Sequence, residues 1–202
     1  MKKIAAIILA AGSSSRMGRS KQLLRINGVS FVRKTAETAL ASQCSHVFVV
    51  TGAQEDAVRT ELDGLDVTIV ANPFWHAGMG SSIRSGIQAL KTDPHTYDAA
   101  LFLLIDQPAV TTALLNTIIG TFKEGKNLVA SAYADSVGVP ALFAAAYFEA
   151  LENLPADRGA KLLLKRHSAD LKRIPFPEGA FDIDTQADFE RLQTLPPFEN
   201  KS

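Results

Sequence analysis

Apolar residues gather in short unbroken runs along this chain, at Ile4 to Leu9, Val47 to Thr51, Val67 to Val70 and Ala99 to Ile105. Runs of this length without polar alternation suit strands covered on both faces, as a parallel sheet requires. Between them the apolar positions take helical spacing, over about residues 30–42, 53–63, 81–91 and 111–124, with Ser30 placed to cap the first helix. Repeated alternation of strand and helix predicts an α/β domain built on an open sheet. Past residue 125 the pattern is less regular. Strands are expected at Leu128 to Ala132, Val139 to Phe143, Leu171 to Pro175 and Phe181 to Thr185, with a last helix from Gln186 to about Leu195.

In open α/β sheets ligands collect beyond the carboxyl ends of the strands. Three segments stand there: Ala10 to Lys21, Asn72 to Ser82, and Asp106-Gln107-Pro108. The first is a loop of small residues with Arg16, Arg19 and Lys21, in which backbone N–H groups and cationic side chains can cradle several phosphate oxygens. It is neither of two familiar phosphate loops. Five residues separate Gly12 from Gly18 and Arg19-Ser20 follows, where a Walker loop needs four and then Gly-Lys-Ser/Thr. Gly12 also has no glycine two positions away, so the dinucleotide fingerprint fails.

Asp106 follows the apolar run Leu101 to Ile105, which delivers a carboxylate to the edge of a rigid strand in a place suited to a divalent cation. The alternative is a helix cap, but the next helix starts more naturally at Thr111 or Thr112. Gly78 to Ser82 is not a hydrolase elbow, since Arg84 stands where Gly-x-Ser-x-Gly around Ser82 needs its second glycine. Its glycines suit close approach to a nucleotide, and Ser81 or Ser82 can cap the helix that follows. In Phe181-Asp182-Ile183-Asp184-Thr185, strand alternation would place both aspartates on one face, where like charges call for a cation or solvent. Asp184 is the preferred second metal ligand, with Asp182 as substitute; the competing expectation is that Asp184 or Thr185 caps the last helix. His46, His76, His95 and His167 show no metal-ligand spacing.

The 202 residues suffice for one domain, and no linker divides them. Basic and acidic residues balance at 21 each, so no overall field recruits nucleic acid or an anionic membrane, and a small ligand is expected. Cys44 is the only cysteine, which excludes an intrachain disulfide and a cysteine metal cluster and fits a reducing compartment. The first apolar run falls short of the roughly 20 residues of a membrane helix. It reads as a buried strand rather than a signal peptide, so a cytoplasmic location is expected.

Leu9 to Lys21 resembles the signature LAAGxSxRMGxxK of the MobA-like nucleotidyltransferases, particularly the molybdenum cofactor cytidylyltransferases. The likeness continues through Leu23-Leu24, Asn72 to Ser82, Asp106-Gln107-Pro108, Ala156 to Lys161 and Asp182 to Thr185, in the same order. It implies a Rossmann-like, mostly parallel sheet with helices on both faces, the nucleotide-diphospho-sugar transferase fold. Residues 1–125 would hold the NTP and about 126–195 the acceptor. It further implies phosphate binding by Arg16 and Lys21, Mg²⁺ at Asp106, and a nucleotide site that includes Leu9, Ala10, Ala11, Gly12, Ser13, Gly78, Ser81 and Ser82. Ala11 favours CTP, because the related guanylyltransferases more often read Leu-Ala-Gly-Gly. The implied acceptor is a phosphorylated small molecule of molybdopterin type, and the implied partner a molybdenum hydroxylase. Where many relatives carry Gly-His-Pro, this chain has Gly138-Val139-Pro140. Guanylyl or sugar-phosphate transfer, and a non-catalytic accessory role, are the alternatives.

Overall fold

The computed structural model describes residues 2–13, 20–134 and 136–194. In chain order the strands are β1 (Ile4–Leu9), β2 (Arg25–Ile26), β3 (Val29–Ser30), β4 (His46–Thr51), β5 (Thr68–Ala71), β6 (Ala99–Leu104), β7 (Leu128–Tyr133), β8 (Ser136–Ala144) and β9 (Lys172–Pro175). The α-helices are α1 (Phe31–Leu40), α2 (Glu55–Glu61), α3 (Met79–Thr92), α4 (Thr112–Lys123), α5 (Phe148–Glu152), α6 (Lys161–Arg166) and α7 (Gln186–Thr194). Seven strands form one sheet in the order β5-β4-β1-β6-β8-β7-β9, and β2 and β3 form a small hairpin. Within the large sheet β8 runs antiparallel to both neighbours, and the other pairings are parallel.

The unbroken apolar runs have a direct cause. All six residues of β1 are buried, and successive side chains enter opposite layers. Ile4, Ala6 and Ile8 pack with Val32, Ala36 and Ala39 of α1 and Leu115, Ile118, Ile119 and Phe122 of α4. Ala5, Ile7 and Leu9 pack on the other side with Ile83, Ile87 and Leu90 of α3, Leu151 of α5, and Leu163 and Leu164 of α6. Helices therefore cover both faces, as expected. Each fully buried Ile or Leu contributes about 1.5–3 kcal/mol relative to exposure, so a polar residue in β1 would be costly on either face.

Ser30 accepts from the Arg33 N–H to cap α1, and Thr111 accepts from the Leu114 N–H to cap α4. Two local expectations are corrected. α3 begins earlier than its serines, with Gly78 as N-cap at φ +117°, a conformation that suits glycine. Ser81 and Ser82 therefore lie inside the first turn rather than capping it. Residues 181–185 form no strand. They cross the end of β6, where the Ile183 N–H donates to the Asp106 carbonyl at 3.0 Å. Ile183 is buried in a third cluster with Leu24, Phe31, Phe189 and Leu192, and Phe181 packs against it. The alternation that suggests a strand comes from this docking. α7 is capped by Thr185, which accepts from the Asp188 N–H while Asp188 accepts from the Thr185 and Asp184 N–H groups. Among the described residues no helix is long and apolar enough to cross a membrane.

Candidate active site

Chain order reverses between β1 and β6, where β1 leads to β4 on one side and pairs with β6 on the other. Such a switch point opens a crevice at the carboxyl ends of the strands. A cavity of about 380 Å³ lies there, lined by Leu9 to Ser13 after β1, Leu104 to Asp106 after β6, Lys21, Gln22, and Trp75 to Ser82 in part. Its size is in the ordinary range for a small-molecule site.

The first loop is held from behind. Gln22 is buried, and its amide donates to the Ala10 carbonyl at 2.8 Å and the Gly12 carbonyl at 2.5 Å. A Cβ on Gly52 would lie 2.7 Å from both the Ala11 carbonyl oxygen and the Trp75 side chain, so glycine lets the loop and Trp75 close on one another. Across the cavity, Asn72 donates to the hydroxyls of Ser81 at 2.9 Å and Ser82 at 3.0 Å. The one Ser81 hydroxyl proton is shared between the carbonyls of Phe74 and Gly78, both within reach. Ser81 thus fixes the turn from inside, while Ser82, Gly78, Trp75, His76 and Met79 face the cavity.

At the cavity floor the Lys21 ammonium lies 2.6 Å from Asp184 Oδ1 and 3.4 Å from Asp106 Oδ2. The 181–185 crossing brings Asp184 here from 163 residues away. Because Thr185 and Asp188 complete the helix cap, the Asp184 carboxylate is available to Lys21. Burial raises the Asp106 carboxyl above its usual value, opposed by Lys21 and reinforced by the Asp184 charge. Asp182 is also raised, by partial burial first and then by the Asp106 charge, with a hydrogen bond from Gln107 opposing. Asp106 Oδ1 is buried and meets no hydrogen-bond donor among the described residues. An unpartnered anionic oxygen beside two further carboxylates fits a divalent cation. Among the described residues no three His, Cys, Asp or Glu side chains form a ready-made metal cage. That agrees with a cation held by one or two carboxylates and completed by substrate phosphates and water.

Beside this cavity, on the α3 and α6 side, a second cavity of about 180 Å³ shares Leu9, Met79 and Leu104 with the first. Its wall is mainly apolar, with Phe102, Tyr133, Val139 and Ala141 inside and Lys161 on its lining. A Cβ on Gly138 would fall 2.2 Å from the Tyr133 hydroxyl, so glycine there lets the ring lie against the strand.

The structure brings Leu9, Ala10, Ala11, Gly12, Ser13, Lys21, Gly78, Ser82 and Asp106 together, with Asp184 on Lys21. Arg16 lies outside the described residues. Gln22, Asn72, Trp75, Met79 and Gln107 also line or brace this region, and the sequence reading names the last four only as parts of longer segments and Gln22 not at all. Gln22 carries the one readable signal, a polar residue next to Lys21 at the end of the phosphate loop.

A crevice lined by Asp106 and Lys21, with Asp184 against the lysine and a backbone loop after the first strand, suits the phosphates of a nucleotide. The family model described as MobA-like NTP transferase domain matches residues 6–171, and the chain belongs to that family and is a nucleotidyltransferase. It is 28% identical over 201 residues to nicotine blue oxidoreductase of Paenarthrobacter nicotinovorans, covering 94% of this chain and 96% of that protein. It is 30% identical to purine catabolism protein PucB of Bacillus subtilis (strain 168), covering 79% of each. It is 27% identical to molybdenum cofactor cytidylyltransferase of Escherichia coli (strain K12), covering 94% and 95%. The crystal structure of Rv0371c from Mycobacterium tuberculosis H37Rv superposes with TM-score 0.80 at 28% identity, over 96% of this chain and 100% of that one. A manganese complex of Rv0371c superposes with TM-score 0.75 at 28% identity, over 95% and 98%. A CMP:2-keto-3-deoxy-manno-octonic acid synthetase complexed with CTP superposes with TM-score 0.74 at 15% identity, over 95% and 97%. The fold is that of the nucleotide-diphospho-sugar transferases.

Proposed function

We propose that this protein is a divalent-metal-dependent cytidylyltransferase that joins CMP to the terminal phosphate of a molybdopterin-type acceptor and releases pyrophosphate. The observation that carries this reading is Asp106 Oδ1, a buried oxygen without a donor among the described residues, on a residue that lines the larger cavity. The larger cavity takes the nucleotide, with the loop Leu9 to Ser13, Gly78 and Ser82 around it and Ser81 fixing its rim. Arg16 and Lys21 bind phosphates. Asp106 and Asp184 would hold Mg²⁺, which when bound would offset negative charge on the phosphates.

The smaller cavity takes the ring system of the acceptor. At about 180 Å³ it is below the usual span for a whole drug-sized ligand, so one flat apolar body fits and the phosphate stays outside near Lys161. An acceptor phosphate oxygen attacks the α-phosphorus in line, the bond to the bridging oxygen breaks, and pyrophosphate leaves with that electron pair. The attacking phosphate is already anionic and needs no general base. The chain's contribution is to align the two substrates and stabilise charge on the leaving group.

Ala11 supports CTP over GTP through the family pattern, and likeness to the molybdenum cofactor cytidylyltransferase supports the acceptor. The same likeness supports a cytoplasmic setting and hand-over of the product to a molybdenum hydroxylase. Val139 gives the smaller cavity an apolar wall where many relatives place histidine, which favours a less polar acceptor edge. The likeness to nicotine blue oxidoreductase supports a second reading, in which the larger cavity holds a redox nucleotide and the smaller an aromatic substrate. The discriminating experiment incubates the protein with each NTP, Mg²⁺ and phosphorylated pterin or sugar acceptors and follows pyrophosphate. Fastest release with CTP and the pterin supports the proposal. No release with any pair overturns it, and consumption of reduced nicotinamide without pyrophosphate selects the redox reading.

A further inference from the structure

The Lys21 ammonium is needed in two places. It lines the nucleotide cavity, where phosphates would draw it, yet without nucleotide it lies against Asp184 Oδ1 at 2.6 Å and Asp106 Oδ2 at 3.4 Å. We propose that Lys21 is a placeholder cation: it fills the carboxylate cleft in the nucleotide-free enzyme, competes there with a divalent cation, and leaves when nucleotide phosphates take it up.

Three features support the exchange. The contact with Asp184 has the length of a charge-assisted hydrogen bond, and the Lys21 side chain is only 13% exposed, so the ammonium is held in the cleft rather than trailing in water. Among the described residues Lys21 is the cation paired with Asp106 and Asp184, with Asp182 nearby, and Asp106 Oδ1 finds no donor among them, so the cleft is filled but not satisfied. The backbone is fixed while the side chain can move. Lys21 starts the 3₁₀ turn Lys21–Leu23, and its neighbour Gln22 is anchored to the carbonyls of Ala10 and Gly12. A lysine on a flexible four-carbon stem can therefore swing from carboxylates to phosphates about a fixed root. A divalent cation that took Asp106 Oδ1 and reached for Asp184 would come close beside the ammonium on Asp106 Oδ2 and Asp184 Oδ1, where like charges repel strongly in a partly buried site. The consequence is an order of binding: metal alone binds poorly, and metal with nucleotide binds well. Lys21 is thus a positioning residue for the metal as well as a phosphate ligand.

This inference rests on the reading of Asp106 and Asp184 as metal ligands, and the test separates the two. Mn²⁺ alone is titrated into the nucleotide-free protein, with free Mn²⁺ followed by electron paramagnetic resonance. Lys21→Met should bind Mn²⁺ about tenfold more tightly than wild type, because the competing charge is gone. Asp184→Asn and Asp106→Asn should bind more weakly. Equal or weaker Mn²⁺ binding by Lys21→Met, with both Asn variants weakened, overturns the placeholder role and leaves the metal ligands standing. Wild-type affinity in both Asn variants removes the metal ligands and the placeholder together. A second readout uses unaltered protein: acetylation of Lys21 by an N-hydroxysuccinimide ester, read by peptide mass spectrometry against the other lysines. Saturating Mn²⁺ without nucleotide should speed modification of Lys21 severalfold, and an unchanged rate contradicts the exchange.

Discussion

Gly80 and Gly120 both lie within helices, and the same substitution should act on them in opposite directions. A Cβ on Gly80 would fall 2.2 Å from the Pro155 carbonyl oxygen and 2.9 Å from that of Arg158. Both neighbours are backbone, so the 155–158 segment would have to retreat by roughly 1 Å to reach ordinary contact. The Gly80 N–H also donates to the Ala156 carbonyl at 2.8 Å, and the Pro155 carbonyl accepts from the Arg158 N–H at 2.9 Å, so retreat disturbs two hydrogen bonds. Overpacking of this kind costs about 1–3 kcal/mol, against a helix-propensity gain of up to about 1 kcal/mol. Nothing lies within 4 Å of a Cβ on Gly120, where the propensity gain stands alone. At about 2–4 °C per kcal/mol for a chain of this size, Gly80→Ala should melt several degrees below wild type and Gly120→Ala about 2–4 °C above it. The displaced segment leads directly into Gly159, Ala160 and Lys161 of the smaller cavity. The KM for the acceptor should therefore rise more than the KM for NTP in Gly80→Ala. Thermal melts followed by circular dichroism and a two-substrate kinetic matrix decide it. A Gly80→Ala protein that melts at or above wild type refutes the tight packing inferred here.

Gln22→Leu should raise the KM for NTP and destabilise the fold by about 1–3 kcal/mol, since it withdraws a donor from two loop carbonyls; chemical denaturation and NTP kinetics would test both effects. In metal-free protein the raised Asp106 carboxyl contributes stability that is full below its ordinary value of 3.8 and is lost as pH rises through the raised value. Asp106→Asn escapes that loss, so its melting temperature in EDTA should gain on wild type from about pH 4 towards 7. A gap that stays flat or shrinks over that range contradicts the burial argument. Base choice gives a kinetic prediction: wild type should prefer CTP to GTP in kcat/KM, and Ala11→Gly should narrow the preference. A wild-type preference for GTP would sink it.

Much of the fold is legible from β1, β4 and β6, because a strand buried on both faces can carry only apolar residues and so announces itself as a run. Polar caps do the same for α1 and α4 at Ser30 and Thr111. The lining of the larger cavity follows from these, since the residues just after β1 and β6 must lie at the carboxyl edge. Phe181 to Thr185 misleads because period-two alternation reports that one side is buried, not that the chain is hydrogen-bonded into a sheet. Ile183 is buried by α1 and α7 instead of by a neighbouring strand. The choice of Asp184 nonetheless places a carboxylate on Lys21, for a reason invisible in sequence: Ile183 is pinned to the Asp106 carbonyl. The exchange of α3 capping from serine to Gly78 is equally hidden, because it depends on Asn72 reaching both serine hydroxyls. The smaller cavity escapes the sequence reading because its walls come from β1, α3, β6, β7, β8 and the 159–164 segment, which are far apart in the chain.

Nucleotidyl transfer itself is tested most directly by following the label from CTP carrying radioactive phosphorus at either the α or the γ position, with Mg²⁺ and a phosphorylated pterin acceptor. The α-label should move into the acceptor product and the γ-label into pyrophosphate, in equal amounts, with both transfers lost in Asp106→Asn and Asp184→Asn. Label that never reaches the acceptor, or γ-label released as single phosphate, contradicts the account.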